Sequence, residues 1–99
     1  MTTKTFARPD WATSPLYNFL IDIFPEHITP YNVLDIRRLR TDLGKSHEAI
    51  YKWLRAGRVP SAAARKLCDI ANQPDNIAAL QKVGRTPPRI GDFDAFVYA

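Results

Sequence analysis

Apolar residues recur with the period of a helix in five places along this chain, and prolines and glycines fall between them. Leu16, Phe19, Leu20, Ile23 and Phe24 follow the three- and four-residue spacing of a buried helical stripe. Ser14 is placed to cap this first helix, Pro15 suits its first position, and Pro25 stops it. Thr29 and Pro30 repeat the cap-and-proline signal and predict a second helix over 30–43, with Val33, Ile36, Leu39 and Leu43 inside and Arg37, Arg38 and Arg40 outside. Gly44 ends it, since glycine enters the left-handed conformation that closes a helix without steric cost. Ser46 predicts the cap of a third helix over 47–55, whose Ala49, Ile50, Trp53 and Leu54 face the core; Gly57 and Pro60 terminate it. Ser61 predicts the cap of a fourth helix with a stripe of Ala63, Leu67, Ile70 and Ala71, and with Arg65, Lys66 and Asp69 outside. After Asn72, Gln73 and Pro74, Asp75 predicts the cap of a short fifth helix carrying Ile77, Leu80 and Val83, ended by Gly84. Pro87, Pro88 and Gly91 forbid a helix across 86–91, and residues 92–99 are aromatic and β-prone.

The expected fold is therefore all-α, a compact bundle of about five short helices with a helix-turn-helix, and with room for a short C-terminal β-strand. Residues 1–13 are polar and aperiodic and predict a flexible N-terminal arm; residues 14–84 form the helical domain; residues 85–99 form a tail. Phe6 and Trp11 are the arm's apolar exceptions. Lys4 and Arg8 would suit a groove-binding arm, against which Asp10 counts.

Length and composition change little in this picture. Ninety-nine residues make one domain with one modest core. A hydrophobic content of 45% argues against wholesale disorder. No apolar run approaches the roughly 20 residues a membrane span needs, and residues 1–15 carry neither an apolar core nor a cleavage pattern. A cytoplasmic protein is expected, with no membrane association. The single cysteine, Cys68, excludes an internal disulfide and a cysteine metal site, and its place in a helical stripe predicts a buried small apolar residue. His27 stands alone in a link and reads as a surface or capping residue rather than a metal ligand.

Charge changes the picture more. Between Arg37 and Lys66 nine basic residues face two acids, Asp42 and Glu48, while the rest of the chain holds five bases and eight acids. A field polarised in this way suits a polyanionic partner, although helix surfaces are often rich in lysine and arginine for solubility alone.

Two short helices joined by a glycine turn, with basic residues over both, form a pattern with a physical use. The DNA major groove is about 12 Å wide and admits one helix, which a second helix must brace at a fixed angle. Over roughly Val33 to Asn72 the sequence resembles the helix-turn-helix domain of the lambda repressor and Cro family of phage regulators. The resemblance is carried by Leu39 and Leu43, Gly44 at the turn, Ile50 and Trp53, and the segment AIYKWLRAGRVP, which is similar to that family's recognition-helix ending. Two positions depart from it. Arg40 stands where a small residue is usual, and Lys45 where an apolar one is usual. Arg40 could lay its alkyl stem across the helix contact.

The resemblance implies a sequence-specific transcriptional regulator, Cro-like or a small repressor of a phage or prophage, binding operator DNA as a homodimer. It implies base contacts from Ser46, His47, Glu48, Tyr51 and Lys52, and phosphate contacts from Arg37, Arg38, Lys45, Arg55 and Arg58. Lys52 could bond guanine and Glu48 could accept from cytosine; Glu48 could equally pair with Lys45, or with Lys52 four residues on. In the Cro branch a C-terminal strand pairs subunits, so Phe93, Phe96, Val97 and Tyr98 are the expected dimerisation residues. The alternatives are that this tail folds back on its own helices or binds another protein.

Nothing in the sequence supports catalysis: there is no paired-carboxylate site, no phosphate-cradling glycine loop and no histidine cluster. No enzyme activity, metal, cofactor or small-molecule ligand is expected. Two other roles fit the same pattern, a recombination or packaging accessory factor and a protein-interaction or inhibitor module that has repurposed the fold.

Overall fold

The computed structural model describes residues 14–31 and 33–98. The expectations for the arm, including Lys4, Phe6, Arg8 and Trp11, lie outside the described residues. The protein is all-α. Helices α1 (Pro15–Ile23), α2 (Ile36–Leu43), α3 (His47–Ala56), α4 (Ser61–Ala71) and α5 (Pro74–Lys82) follow one another, with short links after α2, α3 and α4 and a longer one between α1 and α2, and with 3-10 turns at Pro25–His27 and Ile90–Phe96. Among the described residues no helix is long and apolar enough to cross a membrane.

Helix α1 forms as its sequence predicts. The Ser14 hydroxyl accepts from the Tyr17 amide at 3.2 Å, and Pro15 occupies the first position. Leu16, Leu20, Ile23 and Phe24 are buried, and so is Tyr17, whose hydroxyl accepts from the Leu34 amide at 3.0 Å.

The second helix begins six residues later than Pro30. The Thr29 hydroxyl accepts from the Tyr31 amide only two residues on, closing a tight turn instead of capping a helix. The chain then doubles back: Thr29 N–H donates to Val33 at 2.8 Å, Asp35 N–H donates to His27 at 2.6 Å, and Ile28 bridges Leu34 antiparallel. Asp35 is the true cap, accepting from the Arg38 amide at 3.1 Å. This moves Val33, expected inside, to the surface, and puts Leu34 in the core instead.

The same reversal corrects the reading of His27. It is buried, with its ring edge-on to Phe24, and its Nε2 lies 2.6 Å from the Asp42 carboxylate. The side chain ties the Pro25–His27 turn to the C-terminal half of α2.

Two caps differ from expectation by one or two residues. Pro60 precedes α4 as its cap and Ser61 is its first residue, with no side-chain cap bond. Gln73 occupies the cap position of α5, Pro74 follows, and Asp75 lies in the first turn, where the helix dipole favours a carboxylate. In α5 Leu80 is buried and Ile77 half-buried, but Val83 is beyond the helix end and exposed. The buried Asn76 donates to Ile23 and Ala71 carbonyls at 2.9 and 2.8 Å, joining α5 to the ends of α1 and α4.

The largest departure is the tail. Residues 90–96 coil as a 3-10 turn, and the expected strand is reduced to one parallel bridge between Val97 and Val59. Phe93 is fully buried and meets Phe19 edge-on at 4.9 Å; Phe96 stacks on the other side of Phe19, also at 4.9 Å. The segment before it is held to α4 by Asn72, whose amide donates to the Pro88 carbonyl at 2.9 Å. Phe93 is thus part of the core that the helices form, with Phe96 and Val97 packed against it.

Cys68 is half-buried with its Sγ 3.8 Å from the Pro88 carbonyl. Burial pushes its thiol above the ordinary range, and the carboxylates of Asp69 and Asp92 push it the same way. Because the folded value is raised, its stability contribution is present below the unfolded thiol value, about 8.5, and is lost as pH rises through the folded one. At pH 8 the folded protein should alkylate at Cys68 more slowly than the urea-unfolded chain, measured by mass spectrometry with iodoacetamide. Phe93→Ala should lower unfolding free energy by about 3–5 kcal/mol in urea titration; a loss under 1 kcal/mol would mean that the tail is not part of the core.

Candidate nucleic-acid interface

The candidate site is built on the junction of α2 and α3. Gly44 has φ +69°, and its amide donates to Arg40 and Thr41 carbonyls while the Lys45 amide donates to Arg40, closing α2. Ser46 then caps α3, its hydroxyl accepting from the Ala49 amide at 3.2 Å. Gly57, with φ +71°, closes α3 in the same manner. Both ends of α3 are therefore set by local chemistry, and three residues turn the chain from one helix into the next.

Packing decides which face of α3 is free. Ile50, Trp53 and Leu54 are buried against Leu39 and Leu43 of α2 and the rest of the core. At 100° per residue, the opposite face carries Glu48, Lys52 and Arg55, all exposed. His47 is exposed at the start of the helix and stacks loosely on Tyr51, with ring centroids 6.4 Å apart; Tyr51 is half-buried at the edge of the core. Ser46 is exposed, but its oxygen is occupied by the cap bond, leaving its hydroxyl proton to donate. Glu48 forms no ion pair among the described residues, with Lys45 or Lys52 or any other base. Its carboxylate is instead in the first turn of α3, where the helix dipole stabilises it.

The expected phosphate-contacting residues divide into two kinds. Arg37, Lys45 and Arg55 are exposed, with no ion pair among the described residues. Arg38 and Arg58 are exposed but held: Arg38 Nη1 donates to the Glu26 carbonyl at 2.6 Å, and Arg58 Nη1 donates to the Ala95 carbonyl at 3.0 Å. Neither bond neutralises the guanidinium, which keeps four further N–H donors.

Arg40, the residue that departs from the family pattern by its size, is half-buried, and its Nε is buried with no partner among the described residues. Lys66 of α4 was not singled out by sequence spacing. Its Nζ lies 3.9 Å from where a Cβ would stand on Gly44, beside the carbonyl end of α2. With Lys45 it rims a cleft of about 200 Å³ over Trp53, Pro60 and Ala63.

Of the expected dimerisation residues, Phe93 is fully buried in the core of its own chain. Phe96 and Val97 are half-buried, and Tyr98 is exposed. The bridge to Val59 uses the Phe96 carbonyl and the Tyr98 amide. The N–H and carbonyl of Val97 lie on the other edge and have no partner among the described residues.

Compared with known proteins, the chain matches no family model, no curated protein and no solved structure.

Gly44→Ala should cost about 1–2 kcal/mol of stability, the penalty of a side chain in the left-handed region. The nearest atom to the added methyl is 3.9 Å away, so crowding adds nothing. Thermal unfolding of the two proteins checks this; an unchanged midpoint would mean that the turn tolerates a different backbone.

Proposed function

We propose that this protein is a sequence-specific DNA-binding regulator that lays α3 in the major groove of duplex DNA. The observation that carries the reading is the outer face of α3. A helix of ten residues, capped at both ends and braced by α2 across a left-handed glycine, presents Glu48, Lys52 and Arg55 with no ion pair among them. Side chains that are neither buried nor neutralised by neighbours can turn to base edges and phosphates at the cost of rotamer entropy alone, with no contact of the fold to break. The surrounding surplus of bases from Arg37 to Lys66 supplies the attraction to the duplex.

In this reading Lys52 donates to guanine, Glu48 accepts from cytosine, and His47, Ser46 and Tyr51 touch base edges or phosphates beside them. Arg37, Arg38, Lys45, Arg55 and Arg58 hold the backbone. The unpaired edge of Val97 gives a second copy a place to add a strand, so that two reading helices approach adjacent half-sites about one helical turn apart. Occupation of an operator overlapping a promoter would repress transcription.

Gel-shift titration against selected duplexes tests the reading. Binding should weaken steeply between 50 and 200 mM salt, as phosphate-driven association does. Lys52→Ala should cost about 1–3 kcal/mol and relax one base position, whereas Arg55→Ala should weaken all sequences alike. Salt-insensitive binding, or none to any duplex, would remove DNA as the partner and favour a protein target.

A further inference from the structure

The segment that leaves α3 is held from outside the helix-turn-helix. The Arg58 amide ends α3 by donating to the Trp53 carbonyl at 3.2 Å, while its guanidinium donates to Ala95 at 3.0 Å. The next residue, Val59, is fully buried; its amide donates to Phe96 at 2.7 Å and its carbonyl accepts from Tyr98 at 3.1 Å. The far side of this latch is anchored by Phe93 and Phe96 on Phe19 of α1. Three hydrogen bonds thus join the last residues of the chain to two consecutive residues just past the reading helix.

We infer that the C-terminal tail is a positioning element of the DNA grip, fixing the α3–α4 link and aiming Arg58 at the phosphate backbone without touching DNA itself. The inference rests on the DNA-binding reading above. An arginine on a free loop pays rotamer entropy to hold a phosphate. One donor of Arg58 is already satisfied by Ala95, so its planar fork is held before DNA arrives, on an exposed residue with further donors to give. The coupling is reciprocal: DNA held by Arg58 stabilises the latch, as the latch stabilises the grip.

The latch can be weakened at the exposed Tyr98, with the Phe93 and Phe96 side chains left in place. Val97 has φ −97° and ψ 142°, a conformation that accepts a following proline. Tyr98→Pro deletes the amide that bonds Val59, and Tyr98→Ala retains it. Binding is measured by fluorescence anisotropy on a duplex long enough for one subunit only, so that subunit pairing does not enter. Arg58→Ala should lower the salt slope by about 0.9, the value of one phosphate contact. Tyr98→Pro should lower it by a similar amount, Tyr98→Ala should leave it unchanged, and the double variant Tyr98→Pro with Arg58→Ala should be no weaker than Arg58→Ala alone. In the wild-type protein, hydrogen exchange at the Val59 and Tyr98 amides should slow when the duplex is bound.

A Tyr98→Pro protein with the wild-type slope, additive losses in the double variant, or exchange at those two amides unaffected by DNA would each overturn the inference while leaving the DNA reading intact. Absence of salt-sensitive binding by the wild-type chain would overturn both.

Discussion

The structure depends on one backbone constraint, the left-handed residue at Gly44. It lets α2 stop with its last carbonyls satisfied and lets α3 leave three residues later, so that Leu39 and Leu43 meet Ile50, Trp53 and Leu54 in one core. A helix pair with that much shared apolar surface has one free face on α3, and it is the face with Glu48, Lys52 and Arg55. The remaining elements can be understood as what holds this pair at one angle. Helix α4 packs beneath α2, and Lys66 brings a positive charge to the carbonyl end of α2 at the turn itself.

The bracing is partly polar. Tyr17 reaches from α1 to the Leu34 amide, His27 reaches to Asp42 on α2, and Asn76 joins α5 to α1 and α4. Buried hydrogen bonds of this kind add modest net stability, but they are directional where apolar contacts are not. Of these, the bond from His27 to Asp42 acts on α2 itself.

The tail adds a second kind of support. Its aromatic residues fill the core beside Phe19, and its backbone then closes on the link after α3. One segment therefore serves the packing of α1 and the placement of Arg58, and its outer edge at Val97 remains open. Stability, the proposed grip on DNA and the proposed pairing of subunits all pass through these few residues.

Local features were legible in the sequence. The stripe of α1, the glycine stops at Gly44 and Gly57, the Ser14 and Ser46 caps, the core face of α3 and the all-α class follow from periodicity and from chemistry within one helical turn. Tertiary structure decided the rest. Thr29–Pro30 carried a valid helix-start signal, but the pairing of residues 27–29 with 33–35 prevailed, and it buries Leu34 while leaving Val33 at the surface. The burial of His27 depends on Asp42, fifteen residues away, and the path of the tail depends on Phe19, more than seventy residues before Phe93. Periodicity says which residues want to leave water; only the closed chain determines which partner each one finds when it does.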